Sequence, residues 1–189
     1  MSTWIFTALV FVISFRWAAR GPASLLRALA WLLAAILALW TVQVGTGLFR
    51  AIASGAEGSH SVSIEEMHQK AGHAIFVLCW SATMIGTASI LGFATQGRAR
   101  LAIVNGLAGS CVLFLALLAT WTGYLRPRAG AVNEETHTRF LILHQGLFPM
   151  LLAVVLVAWL LAVGRQRRAL REELQSAEGR AESIENQPI

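Results

Sequence analysis

All five histidines of this chain, His60, His68, His73, His137 and His144, fall in or beside two short polar stretches. Each stretch follows a long apolar run ending on one motif: Thr46-Gly47-x-x-Arg50 in "TGLFR" and Thr122-Gly123-x-x-Arg126 in "TGYLR". Glu65-Glu66-x-His68 follows the first motif and Glu134-Glu135-x-His137 the second; a further histidine comes after each, His73 and His144. Ionisable residues at membrane depth are rare and mark functional sites by default. Neutral imidazole binds metals and is a normal axial ligand of haem iron. A bis-histidine haem needs ligands from two opposite helices and close approach by the other two. Gly47 and Gly123, lacking Cβ, would let a flat macrocycle come near. Arg50 and Arg126 would pair with its propionates, since a guanidinium suits carboxylates.

Depth ranks the histidines. From His144 to Gly164 a helix is about 30 Å long, the hydrocarbon thickness. From His73 to Gln96 it is about 35 Å. Both are expected at the outer hydrocarbon boundary, as the iron ligands. His68 and His137 are expected about one to two turns further out, at headgroup level, as secondary members of the haem-binding set.

The elements that must position these groups are membrane helices. The chain has 189 residues, 56% hydrophobic and 13% charged, with mean hydropathy +0.61. A soluble domain carries about twice that charged fraction. Five apolar segments read as spans, over residues 3–19, 24–49, 70–95, 102–125 and 139–163. The fold class expected is all-α and integral to the membrane, with five transmembrane helices. Residues 1–20 hold the first helix, residues 21–164 a four-helix bundle, and residues 165–189 a tail that is helical at first and then disordered. The repeated motifs make helices two to five a bundle with a pseudo-twofold axis along the membrane normal, and a site where the copies face each other.

Arg16, Arg20, Arg27, Arg98, Arg100, Arg165, Arg167, Arg168 and Arg171 flank one side of these spans. The positive-inside rule makes that side cytoplasmic, puts the N-terminus outside, and places the histidine loops on the outer face of a bacterial inner membrane. The sequence pI near 10.6 therefore reports topology, not nucleic acid. Cys79 and Cys111 lie inside apolar runs without a CxxC neighbour and read as small packed residues. Gly106 and Gly109 read as close helix packing.

The motifs resemble those of haem A synthases. "TGLFRAIASG" is similar to that family's first outer Gly-Gly-Leu-Val-Arg-x-Thr-Gly-Ser-Gly motif. Glu65-x-x-His68 resembles its Glu-x-x-His-Arg, with Gln69 in place of the Arg, and His144-Gln145 its later His-Gln. The family consists of two fused four-helix halves with histidines on alternate helices; one half carries a haem b, and the other binds the haem being oxidised. Segments two to five, residues 24–163, would cover one half. The resemblance implies haem binding in such a bundle. The outer loops lack that family's Cys pair.

Three functional expectations follow. The first is a membrane b-type cytochrome subunit. It would hold one haem b, with a second left open, and pass electrons near the periplasmic face within a quinol-linked complex. The second is a haem-modifying oxidoreductase like a haem A synthase half. The third is a haem-free structural or assembly subunit. The sequence leaves open whether the chain is an enzyme. The partners expected are the lipid bilayer, other membrane subunits or a second copy, and quinol. A di-iron site built on the two Glu-x-x-His motifs also needs a Glu from each remaining helix. Segments two and four contain no acidic residue.

Overall fold

The computed structural model describes residues 5, 8–9, 12–13, 16, 21–53, 62–94, 99–124 and 134–185. Helix α1 is Pro22–Ala53, α2 is Val62–Ala94 and α3 is Ala99–Tyr124. Helix α4, Glu134–Leu141, runs through a π-helical turn, Ile142–Leu147, into α5, Phe148–Glu185. Among the described residues there is no strand. Among the described residues four helices are long and apolar enough to cross a membrane: Ala23–Phe49, Glu66–Ala88, Arg100–Thr122 and a stretch within Ile142–Arg180. The expected first span, residues 3–19, lies largely outside the described residues; the six described between 5 and 16 are helical and exposed.

Sequence explains the entry into α1. Gly21 takes φ +119°, a left-handed conformation that glycine adopts freely, and Pro22 follows at the first helical position. Leu26, Leu29, Leu33 and Ile36 then recur at three- and four-residue spacing and are fully buried. They pack against Leu78, Cys79 and Ile85 of α2, Val112 of α3, and Leu156, Trp159 and Val163 of α5 in one core. Outward-facing positions are apolar as well: Trp31, Phe114, Trp121 and Val154 are all at least 60% exposed. A helix that is apolar on its outer face has lipid as its solvent.

The helices form a ring, α1 against α2, α2 against α3, α3 against α5 and α5 against α1. Helices α1 and α3 thus stand across one diagonal, α2 and α5 across the other. Trp159 locks the half away from the histidines. Its indole Nε1 donates to Asn105 Oδ1 at 2.9 Å, and Asn105 Nδ2 donates to Gln166 Oε1 at 2.9 Å. A Cβ on Gly86 would lie 3.0 Å from Trp159 Cζ2, and one on Gly109 3.1 Å from Thr83 Cα and 3.2 Å from Trp159 Cη2. Gly109 is therefore a close-packing glycine, as its sequence context suggests. Thr83 Oγ1 also donates to Gly109 O at 2.8 Å, joining α2 to α3.

Two expected boundaries move. Helix α2 starts at Val62, not 70, and so takes in Glu65, Glu66 and His68. Helix α5 continues to Glu185, and residues 171–180 of this extension are all exposed. Residues 186–189 lie outside the described part.

Candidate functional site

The C-terminal ends of α1 and α3 and the N-terminal ends of α2 and α4–α5 meet at one end of the ring. Two histidines there make matching bonds to the preceding helix. His68 Nδ1 lies 3.2 Å from Gln43 O and 3.1 Å from Thr46 Oγ1. His144 Nδ1 lies 2.9 Å from Ala119 O and 3.5 Å from Thr122 Oγ1. The separations along the chain are identical, 25 residues to the carbonyl and 22 to the threonine in both cases. Both histidines are half-buried.

These bonds fix the proton. A carbonyl oxygen only accepts, so Nδ1 of each ring carries the hydrogen and donates it. Each threonine hydroxyl donates to its own helix, Thr46 to Val42 O at 2.9 Å and Thr122 to Leu118 O at 2.8 Å. Towards the imidazole the hydroxyl is then an acceptor. A neutral ring held in this way carries its lone pair on Nε2, the nitrogen that a metal would take.

The register of these bonds differs from the one read from the two Glu-Glu-x-His motifs. One offset carries Thr46 to Thr122, Gly47 to Gly123, Arg50 to Arg126, His68 to His144 and Gln69 to Gln145. His68 thus corresponds to His144, not to His137. His73, the other expected ligand, has its Nδ1 2.8 Å from Gln69 O of its own helix. His137 belongs to α4, but its side chain lies outside the described part. The same holds for the side chain of Arg50, on α1 one turn beyond Thr46, while Arg126 and His60 lie wholly outside it. Gly123 follows Thr122 on α3.

Glycine serves the site at Gly47. A Cβ there would stand 3.3 Å from His68 Cε1, so the position holds room for the ring. Gly45 has nothing within 4 Å and is unconstrained. Gly72 makes room for Gln43, whose Nε2 would lie 2.9 Å from an added Cβ. Gln43 Oε1 and Trp40 Nε1, one turn apart on α1, are enclosed and make no hydrogen bond. Glu66 pairs with Lys70 at 2.6 Å and Glu135 with Arg139, all on exposed surface. Among the described residues no three His, Cys, Asp or Glu side chains gather to hold a metal ion.

Sequence reasoning had singled out the Thr-Gly-x-x-Arg motif for its glycine and arginine, and left its threonine without a role. It also missed the π-helical turn that carries His144. The signal was Pro149: it lacks the N–H that would bond the Gln145 carbonyl, and its ring crowds that carbonyl. A wider turn relieves the conflict, and such turns recur at functional sites. No family model, curated protein or solved structure matches the chain.

Proposed function

We propose that the chain is a membrane b-type cytochrome subunit in which His68 and His144 would hold one haem b. The observation that carries this reading is the matched pair of histidines, on elements across a diagonal of the ring, each with Nδ1 committed to a neighbouring carbonyl. Two further observations fit the group. Gly47 leaves space against the His68 ring that a Cβ would fill. Trp40 Nε1 and Gln43 Oε1 are orphaned polar atoms on α1 within two turns of Thr46, each costing about 1–3 kcal/mol if left unpaired. A bound group with polar substituents would supply their partners.

When bound, a haem held by the two imidazoles would supply single-electron transfer. The Nδ1–H bonds hold the imidazole planes and raise the basicity of Nε2. The Thr46 and Thr122 hydroxyls limit ring rotation. Arg50 and Arg126, at matching positions of the repeat, would pair with the propionates. The repeat is read as the two halves of a pseudo-twofold bundle, and the basic residues at the opposite end support a site on the periplasmic side of an inner membrane. Quinol is the donor class, and other membrane subunits or a second copy complete the complex.

The test is a reduced-minus-oxidised visible spectrum of the purified protein. Sharp α and β bands from a six-coordinate haem are expected. A colourless protein points instead to a structural or assembly subunit. A macrocycle side chain oxidised when oxygen and reductant are supplied points to a haem A synthase-like activity.

A further inference from the structure

The end of the bundle opposite the histidines holds a second feature, which does not depend on a haem. Ala23 and Arg27 of α1 and Arg167, Leu170, Arg171 and Leu174 of α5 line one cleft. Arg167 and Arg171 are one turn apart on the same face of α5. Arg27 reaches the cleft from the neighbouring helix, and both Arg27 and Arg171 are near enough to act on the charge of Arg167. Among the described residues no ion pair involves the three arginines; Glu66 and Glu135, each in an ion pair, belong to the other end. Glu172 and Glu173 follow Arg171 but are exposed and line no part of the cleft.

Three converging cations without a counter-charge repel one another, so an anion bound among them stabilises the fold. Guanidinium groups match phosphate oxygens best, through paired N–H donors. Depth selects the source of the phosphate. Leu29, Leu32 and Val163, all fully buried, close the apolar core within about a turn beneath Arg27 and Arg167. Gln166 is about 33 Å along the helix from His144, so the cleft stands where the hydrocarbon ends and headgroups begin. Basic pockets between membrane helices at that level bind anionic headgroups.

We propose that the cleft formed by Arg27, Arg167 and Arg171 binds the phosphate headgroup of an anionic phospholipid. Bound there, the lipid ties the first turns of α1 to the extension of α5. The test is thermal unfolding and native mass spectrometry of the full-length protein in neutral detergent. The additions are phosphatidylglycerol, phosphatidylcholine or inorganic phosphate at equal phosphate concentration. Phosphatidylglycerol is expected to raise Tm and to remain bound, and the other two are not. Each arginine near an anionic headgroup accounts for about fivefold in affinity, so the Arg27→Gln/Arg167→Gln variant should bind about 25-fold more weakly. Arg168→Gln, on the same helix but outside the cleft, should behave as wild type. Should the double variant not accumulate, Arg171→Gln alone decides, with about a fivefold loss expected. No preference over phosphatidylcholine, an equal effect of inorganic phosphate, or an equal loss in Arg168→Gln would each overturn the proposal.

Discussion

At the scale of single residues, the register of the two histidine–threonine pairs is the sharpest claim. If it gives the ligands, His68→Leu and His144→Leu each remove an iron bond and with it the six-coordinate spectrum. His73→Leu should leave that spectrum intact, because His68, not His73, is the counterpart of His144 at the offset of the repeat and is the ring set against α1. A bleached His73 variant beside a coloured His68 variant would restore the pair inferred from depth. Gly47→Leu drives a side chain into the His68 ring and should abolish haem occupancy while the protein still inserts. Overfilling a packed site of this kind costs about 1–3 kcal/mol. Much of this was legible beforehand: the residue types, their clustering at one end, and the repeat of Thr-Gly-x-x-Arg. The pairing was not. His68 and His73 are five positions apart and point to different sides of α2. Only the packing of α2 on α1 decides which of them meets Thr46.

At the scale of elements, the π-helical turn sets the position of His144. Pro149→Ala restores a backbone donor for Gln145 and removes the ring that crowds its carbonyl. The turn should then tighten towards an α-helix, displacing His144 from Ala119 and Thr122. The expected readout is a changed or lost haem spectrum with no loss of thermal stability, since helix propensity rises. A Pro149→Ala protein with an unaltered spectrum would show that the turn is held by its surroundings instead. The glycines of the other half behave differently. Gly109→Leu meets the backbone of Thr83 and the ring of Trp159, neither of which yields easily. It should lower Tm by several degrees and leave the ligands untouched. Hydropathy located α1 and α3 to within a few residues, because apolar runs end abruptly at Pro, Gly and Arg. It placed the start of α2 too late, since Glu65, Glu66 and His68 are polar yet helical. Helix entry is governed by backbone bonding, and hydropathy alone does not see it.

At the scale of the whole molecule, the four helices among the described residues that are long and apolar enough to span, and the exposed extension of α5, bear on what can be reached from each side. With the histidine end outside, Ala56→Cys should react with a membrane-impermeant maleimide in intact cells. Ser176→Cys should react only after lysis. The reverse labelling would invert the topology and move the site to the cytoplasmic face. Native Cys79, which is buried as expected, should stay unlabelled in both experiments; Cys111, also expected to be buried, is exposed and is replaced by Ala beforehand. The ring order of the helices could not be read from the chain, because helices apolar on every side offer no single face to match. Small residues decided it: Gly86 and Gly109 admit Trp159, and Trp159 in turn holds Asn105 and Gln166.

That lock has a mechanical corollary. From Phe148 to Glu185 helix α5 is an unbroken rod of 38 residues, about 57 Å. Trp159 clamps it off-centre, about 22 Å from His144 and about 39 Å from Glu185. For a stiff rod pivoting at that clamp, the exposed extension is the long arm of a lever and the histidine sits on the short one. A sideways push of about 2 Å at the far end becomes an opposite displacement of about 1 Å at His144, reduced in the ratio of the two arms.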